Sequence, residues 1–165
     1  MANFGADRNY EVALKKHFRR VADSKTKIEL QGIERNLDSQ WTYSTLLKTE
    51  EVIEEIIKAE SAGFEAAVIG CFEDPGLEQA REVVDIPVFG IGETSMHFAC
   101  MLGRKFGLVM NSTKAGLRVE DNIRKYGLES LASPSSYMNV KPEDYQRAFA
   151  NPKPFLHCFV EAAKK

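Results

Sequence analysis

Cys71 is the side chain best placed for chemistry in this sequence. It follows the apolar run 66–69 and Gly70, which would let a ligand approach the backbone, and it precedes Asp74 and Pro75, which are typical of a helix start. A helix N-terminus favours a thiolate, and free cysteine titrates near about 8.5, so a modest lowering of its pKa would make Cys71 a base at neutral pH. Most free cysteines are only small buried hydrophobic residues, so position alone leaves both interpretations open.

A second polar turn follows the apolar run 88–91. Gly92 would permit a tight turn that exposes backbone amides, and Thr94 or Ser95 could cap the following helix. The residues complete neither a GxGxxG motif nor a P-loop, so they do not indicate a nucleotide site. Glu93 could hold a polar ligand group or the neighbouring loop, although a solvated acid in the first helical turn is the more common outcome.

A third polar turn, formed by Asn111, Ser112 and Thr113, follows the apolar run 106–110. Hydroxyls and free amides at a helix start can bind a carboxylate, and serine and threonine are also simply good N-caps, so both roles can hold together. The three turns would gather a thiol, backbone amides and hydroxyls around one cleft, without a Ser-His-Asp set or a cluster of metal ligands. This combination suits acid/base chemistry on a small carboxylate, without cofactor or metal.

The elements that would position these turns alternate between strands and helices. Short apolar runs predict strands buried on both faces, and the segments between them have helical spacing. This alternation indicates a parallel sheet with helical crossovers, in which ligands bind at the carboxyl ends of the strands. The predicted order is strand 66–69, helix 75–84, strand 88–91, helix 94–103 and strand 106–110.

The remaining segments are predicted to be mainly helical. Gly63 and Gly127 suit the left-handed residue that closes a helix. Cys100 and Cys158 lie on apolar helical faces, which favours a packing role for both. The predicted helices are 7–21, 46–61, 114–126, 142–149 and one from about 152, with a strand at 27–30 and loops at 36–43 and 132–136.

The composition indicates a globular protein of 165 residues, with 22 basic and 24 acidic side chains and a net charge of -2. This balance disfavours nucleic acid and anionic membranes as partners. The first residues lack the apolar segment of a signal peptide, and no run approaches the roughly 20 apolar residues that span a bilayer. Three widely spaced cysteines without a CxxC disfavour a disulfide framework and a zinc site. We therefore expect a cytoplasmic protein with reduced thiols.

Residues 63–77 contain the thiol turn, and residues 86–93 contain a Pro-Val-Phe-Gly-Ile-Gly-Glu turn at a defined distance from it. Together with residues 80–82, Met96-His97 and Phe106-Gly107, they closely resemble the Asp/Glu/hydantoin racemase superfamily. The resemblance implies an α/β fold with a parallel-sheet, flavodoxin/Rossmann-like lobe, flanking helices and an active site between two lobes. It also implies paired cysteines that exchange the proton on the substrate's α-carbon from opposite faces.

Cys71 matches the first cysteine of that implied pair. The resemblance places the second in a Gly-Cys turn near the family's C-terminus, and Cys158 does not match it because Cys158 lies in the helix before that turn. The family's usual N-terminal strand has no counterpart in residues 1–7. We therefore expect one domain over residues 1–165 with a partial second lobe, in which the family's C-terminal part is absent.

The resemblance implies a cofactor-independent racemase or isomerase of amino acids or hydantoins, with Cys71 as the thiol acid/base. Two alternatives stay open at this point: a non-catalytic, truncated family member, and a one-cysteine isomerase or decarboxylase. The partner is expected to be a small carboxylate or hydantoin, and a homo-oligomer is left open. The residues predicted to contact substrate are Gly70, Phe72, Gly92, Glu93, Asn111, Ser112 and Thr113.

Overall fold

The computed structural model describes residues 8–33, 41–140 and 151–164. A 3-10 turn, Glu129–Leu131, precedes the last strand. The helices are α1 (Arg8–Val21), α2 (Thr42–Ser61), α3 (Leu77–Val83), α4 (Ile91–Leu102), α5 (Thr113–Lys125) and α6 (Pro152–Ala163), and the strands are β1 (Ala67–Ile69), β2 (Val88–Gly90), β3 (Val109–Met110) and β4 (Ser136–Tyr137).

The strands form two parallel pairs. In the first pair Ala67 of β1 lies opposite Val88 of β2, and in the second Val109 of β3 lies opposite Ser136 of β4. Helix α3 connects β1 to β2, and α5 lies between β3 and β4 in the chain, so each pair is joined by a helical crossover. These units confirm the predicted α/β class with parallel strands.

The core consists of two apolar clusters. Helix α2 supplies Val52 and Ile56 to the first, one turn apart on the same face, and each such side chain contributes roughly 1.5–3 kcal/mol when buried. Cys71 packs against the first cluster and Phe72 against the second, so the turn after β1 lies where the clusters meet. The first contains Ile33, Val52, Ile56, Ile69, Leu77, Ala80 and Val88, and the second Met96, Phe106, Met110, Ala115, Val119, Ile123 and Leu128.

Strands β1 and β2 are buried on one face, so the prediction that both faces are buried is wrong for this pair. Ile69 and Val88 point into the first cluster, whereas Val68 is 58% exposed and Phe89 46% exposed. Successive side chains of a strand point to opposite faces, and in the described part of the chain only one of these faces packs against the core.

The ends of helices α2 and α5 were predicted correctly. Gly63 and Gly127 adopt positive φ angles of 82° and 71° just after α2 and α5. Glycine has no Cβ to clash in this left-handed conformation, which ends a helix at low energetic cost. Helix α2 begins at Thr42, however, so the predicted loop 36–43 is wrong at Thr42 and Tyr43.

Several other predicted boundaries differ from the structure. Residues 27–30 form no strand, and Ile28 is exposed, so their alternation has no buried face to stabilise pairing. The predicted strand 106–110 forms a ladder only at Val109–Met110, with an isolated bridge from Phe106 to Ala132. Strand β4 begins inside the predicted loop 132–136. The predicted helix 142–149 and residues 36–40 lie outside the described residues.

No helix within the described ranges is long and apolar enough to cross a membrane.

Candidate active site

The turn from Cys71 to Gly76 carries the chain from β1 into α3. The Asp74 N–H donates to the Cys71 carbonyl (3.0 Å), and the Leu77 N–H donates to the Asp74 carbonyl (3.3 Å). Asp74 and Gly76 both have positive φ angles, 48° and 75°. Aspartate tolerates this conformation better than most non-glycine residues, so the sequence of the turn suits its shape.

Asp74 is buried, with 6% of its surface exposed, and its carboxylate has three donors. The N–H groups of Gly92 and Glu93 donate at 2.9 and 2.6 Å, and the Tyr126 hydroxyl donates at 2.8 Å. Because a helix N-terminus carries unpaired N–H groups and partial positive charge, this carboxylate caps α4 from another part of the chain. The capping also joins the Cys71 turn to the turn after β2.

The cap of α4 corrects two predictions about its N-terminus. Helix α4 begins at Ile91, three residues before the predicted start, because Asp74 accepts from its first amides. Thr94 and Ser95, which were predicted as caps, therefore lie inside the helix, and both are exposed. The sequence contained no local signal for a cap supplied by a residue 18 positions away.

The glycines of the second turn allow close backbone contact, as predicted. A Cβ at Gly90 would lie 2.5 Å from the Asp74 side chain, and a Cβ at Gly92 would lie 2.3 Å from the carbonyl oxygen of Phe72. Both distances are too short for any side chain. The predicted exposure of backbone amides in this turn is wrong, because Gly92 is buried and the Gly92 and Glu93 N–H groups donate to Asp74.

Glu73 is held by helix α5. Arg118 forms a bidentate pair with its carboxylate, with Nε to Oε2 and Nη2 to Oε1 both at 2.7 Å, and Asn122 Nδ2 donates to its carbonyl at 2.8 Å. Sequence reasoning missed Arg118, Asn122 and Tyr126. Their spacing of four residues, with a hydrogen-bond donor at each position of one helical face, is a signal that could have found them.

Burial raises the pKa of the Cys71 thiol, and the carboxylates of Glu73 and Asp74 act in the same direction. A hydrogen bond from the Glu73 N–H opposes this effect. The predicted lowering of the Cys71 pKa is therefore wrong. Two acidic side chains follow Cys71 closely, and α3 begins only at Leu77, so the expected effect of the helix N-terminus does not prevail. Burial and the two carboxylates therefore favour the neutral thiol over the thiolate.

Glu93 pairs with a cation of the neighbouring crossover helix. Arg81 Nη1 and Nη2 donate to its carboxylate oxygens at 3.2 and 2.6 Å, and Arg81 Nε donates to the Val88 carbonyl at 3.0 Å. The hydrogen bond from Arg81 lowers the pKa of Glu93. The carboxylate thus joins α4 to α3, and contact with a substrate stays a prediction.

The third turn has local hydrogen bonds and one from a distant residue, the Val140 N–H, which donates to the Asn111 carbonyl at 3.1 Å. The Ser112 N–H donates to Asn111 Oδ1 at 2.9 Å, and Ser112 Oγ accepts from the Ala115 N–H at 3.3 Å, which confirms Ser112 as the N-cap of α5. Thr113 is the exposed first residue of that helix. The binding of a substrate group by these residues stays a prediction.

The structure brings several of the predicted site residues close to one another. Phe72 and Met110 belong to the same apolar cluster, so the Asn111 turn starts beside the cluster that supports Phe72. Cys100 packs partly buried against this cluster, as predicted, and Cys158 is partly buried on α6. Across the described residues, no group of three or more His, Cys, Asp or Glu side chains is arranged to hold a metal ion.

The family model described as Asp/Glu/Hydantoin racemase matches residues 13–152. A hydantoin racemase from Pseudomonas sp. (strain NS671) is 44% identical over 87 residues, which cover 53% of this chain and 35% of the relative. One from Rhizobium meliloti is 37% identical over 78 residues, covering 47% and 32%. One from Paenarthrobacter aurescens is 29% identical over 129 residues, covering 75% and 52%. The matches thus span about a third to a half of these relatives' lengths.

Two solved structures share the fold. An allantoin racemase from Klebsiella pneumoniae superposes with a TM-score of 0.84 at 23% identity, over 99% of this chain and 67% of the other. An allantoin racemase from Pseudomonas fluorescens superposes with a TM-score of 0.83 at 19% identity, over 96% and 66%. At these identities the likeness establishes the α/β fold.

Proposed function

This chain belongs to the Asp/Glu/hydantoin racemase family, and we propose that its Cys71 thiol exchanges a proton at the acidic carbon of a small hydantoin or amino acid, without a cofactor. The observation that carries the proposal is the position of the thiol. Cys71 follows a parallel strand at its carboxyl end, where such sheets bind ligands, and the next residues are fixed by α4 and α5. A turn held in this way supports the precise positioning that proton transfer requires.

We favour a 5-substituted hydantoin over a free amino acid as the substrate. The curated relatives reported above are named hydantoin racemases, and allantoin, named for the structural neighbours, contains the same ring. The hydrogen on C5 of this ring is acidic because the carbanion is conjugated with the C4 carbonyl. Asn111, Ser112 and Thr113 would hold polar groups of the ring, and Gly70, Phe72, Gly92 and Glu93 would line the same cleft.

The raised pKa of Cys71 supports a role as the acid that follows removal of the C5 proton by another group. A protonated thiol donates its proton to the C5 carbanion and becomes a thiolate, and in the reverse direction the thiolate removes that proton. The charge of Arg118 acts favourably on the thiolate when it forms. Racemisation also needs a group that removes the proton from the opposite face of the carbon.

We expect the reaction in the cytoplasm.

Solvent deuterium incorporation at C5 tests the proposal. The chain would be incubated in D₂O with 5-monosubstituted hydantoins, allantoin, aspartate and glutamate, beside a sample without protein that measures spontaneous exchange. We expect exchange above this background, a fall of at least about 100-fold in Cys71→Ala, and no change in Cys100→Ala. Exchange that is equal in the wild-type chain and Cys71→Ala would overturn the role of Cys71.

The configuration of the deuterated product separates the alternatives. Inversion would indicate a second acid/base group, and retention would indicate that one thiol removes and returns the proton on the same face. Loss of a carboxyl group from a malonate-type substrate would indicate a one-cysteine decarboxylase. If no compound exchanges above background, the chain is a non-catalytic member of the family.

A further inference from the structure

One face of helix α5 contacts the backbone and side chains that follow Cys71. We infer that Arg118, Asn122 and Tyr126 on this face are positioning residues, which hold the Cys71 turn in the geometry needed for proton transfer. The inference rests on the proposed function of Cys71. None of the three residues is proposed to contact the substrate.

The three residues are spaced by four positions, so they lie one above another on the helix. Each donates a hydrogen bond to Glu73 or Asp74, the second and third residues after Cys71. Arg118 binds the Glu73 carboxylate, Asn122 binds the Glu73 carbonyl, and Tyr126 binds the Asp74 carboxylate. The hydrogen bonds therefore restrain both the side chains and the backbone of the turn.

The adjacent face of α5 makes this restraint rigid. Ala115, Val119 and Ile123 are buried in the second apolar cluster, which fixes the helix against β3 and its neighbours. The Arg118 and Glu73 side chains are only 16% and 15% exposed, so their bidentate pair is shielded from water. A charge-assisted, two-bond contact of this kind defines orientation better than a single hydrogen bond.

Arg118 also balances charge beside the thiol. The described charged groups around Cys71 are Glu73 and Asp74 in its own turn and Arg118 on α5. Removal of Arg118 would leave the Glu73 carboxylate without its cation, which disfavours the thiolate. Removal of the Glu73 charge would have the opposite effect, because one carboxylate fewer would then disfavour the thiolate. The two substitutions should shift the titration of Cys71 in opposite directions.

The pH dependence of Cys71 alkylation tests the inference without relying on racemase activity. The full chain would react with iodoacetamide between about pH 6 and 11, and mass spectrometry would follow the peptide that contains Cys71. We expect Arg118→Met to raise the midpoint by about half a pH unit or more, and Glu73→Gln to lower it. Arg124→Met is the matched control, since Arg124 lies on the exposed side of α5 and pairs with Asp121.

The outcomes separate this inference from the proposed function. Opposite shifts in Arg118→Met and Glu73→Gln, with no shift in Arg124→Met, support the positioning role even if the wild-type chain exchanges no deuterium. Unchanged midpoints in folded Arg118→Met and Glu73→Gln overturn it, whatever the activity. If Arg118→Met fails to fold, Arg118→Lys replaces it. This variant keeps the positive charge and loses the bidentate contact of the guanidinium with Glu73. A midpoint near that of the wild type with a changed rate of Cys71 alkylation above the midpoint then supports positioning, and an unchanged alkylation rate overturns it.

Discussion

The turn after β1 and the turn after β3 both lead from a parallel strand into a helix, but they are held in different ways. The Cys71 turn is fixed by partners 18 to 52 residues away in the sequence, through the carboxylate of Asp74. The side chains of the Asn111 turn form hydrogen bonds one and three positions apart, and the Asn111 carbonyl accepts from the Val140 N–H at 3.1 Å. The side chain of Asp74 therefore joins the first turn to α4 and to Tyr126, whereas the side chains of the second turn bond within that turn and the first turn of α5.

This difference has an energetic consequence. Asp74 is buried, so its loss would leave two backbone N–H groups and a hydroxyl without their acceptor in a place with little water. Ser112 is partly exposed, so water can replace its hydroxyl as the partner of the Ala115 N–H. Equivalent truncations should therefore destabilise the protein to different extents at the two turns.

The largest effect is expected for Gly92→Ala, which forces the Cys71 turn away from the turn after β2. The new Cβ would lie 2.3 Å from the Phe72 carbonyl oxygen, and backbone cannot give way as a flexible side chain can. We expect a loss of about 4 kcal/mol or more in the free energy of unfolding, or failure to fold.

Denaturant unfolding would measure this loss. Gly107→Ala is the control, because a Cβ at Gly107 meets nothing within 4 Å. A Gly92→Ala variant as stable as Gly107→Ala would show that the two turns are not packed together.

Asp74→Ala should have the next largest effect, a loss of roughly 3 kcal/mol. Three donors lose their acceptor, and alanine is less favourable than aspartate at a φ of 48°. Asp74→Asn keeps one oxygen acceptor and tolerates the same φ, so its loss should be smaller. Chemical denaturation of both variants would check this order, and equal losses would point to the charge and the second oxygen of the carboxylate, not to backbone conformation, as the main cause.

Ser112→Ala should cost about 1 kcal/mol, the usual value for a serine N-cap. The loss is confined to the first turn of α5, since the Ser112 hydroxyl accepts from the Ala115 N–H of that helix. Thermal unfolding followed by circular dichroism would measure it beside Asp74→Ala. If Ser112→Ala cost as much stability as Asp74→Ala, the long-range contacts of the Asp74 side chain would contribute no more than the local cap of Ser112.

The same distinction explains how far the sequence could predict the structure. The parallel strands, the C-caps at Gly63 and Gly127, and the N-cap at Ser112 depend on residues close together in the chain, and the structure confirms each. Cys71 could be placed after its strand for the same reason. Apolar periodicity and cap chemistry are local signals, so one sequence is enough to read them.

The environment of Cys71 could not be predicted in this way. The start of α4, the pairing of Glu93 with Arg81 and the raised pKa of Cys71 all arise from contacts between distant segments. A side chain after a strand was expected to respond to the helix that follows it. Here burial is the first cause of its raised pKa, and burial depends on how distant segments pack around Cys71, whereas the two carboxylates are its neighbours in the sequence.

The smallest expected effect is at Glu93, where the Cys71 region has a partly exposed ion pair. Arg81 lowers the pKa of Glu93 in the folded state, so the pair stabilises the fold above the unfolded pKa of about 4.3, and this stabilisation is lost as the pH falls through the lower, folded value. Glu93→Gln should cost about 0.5 kcal/mol at pH 7 and almost nothing once wild-type Glu93 is itself protonated. Urea unfolding at neutral and acidic pH would measure the loss of stability under each condition. Glu82→Gln, on the exposed face of α3, is the control. A difference that persists in acid would mean that Glu93 acts through hydrogen bonding that does not require its charge.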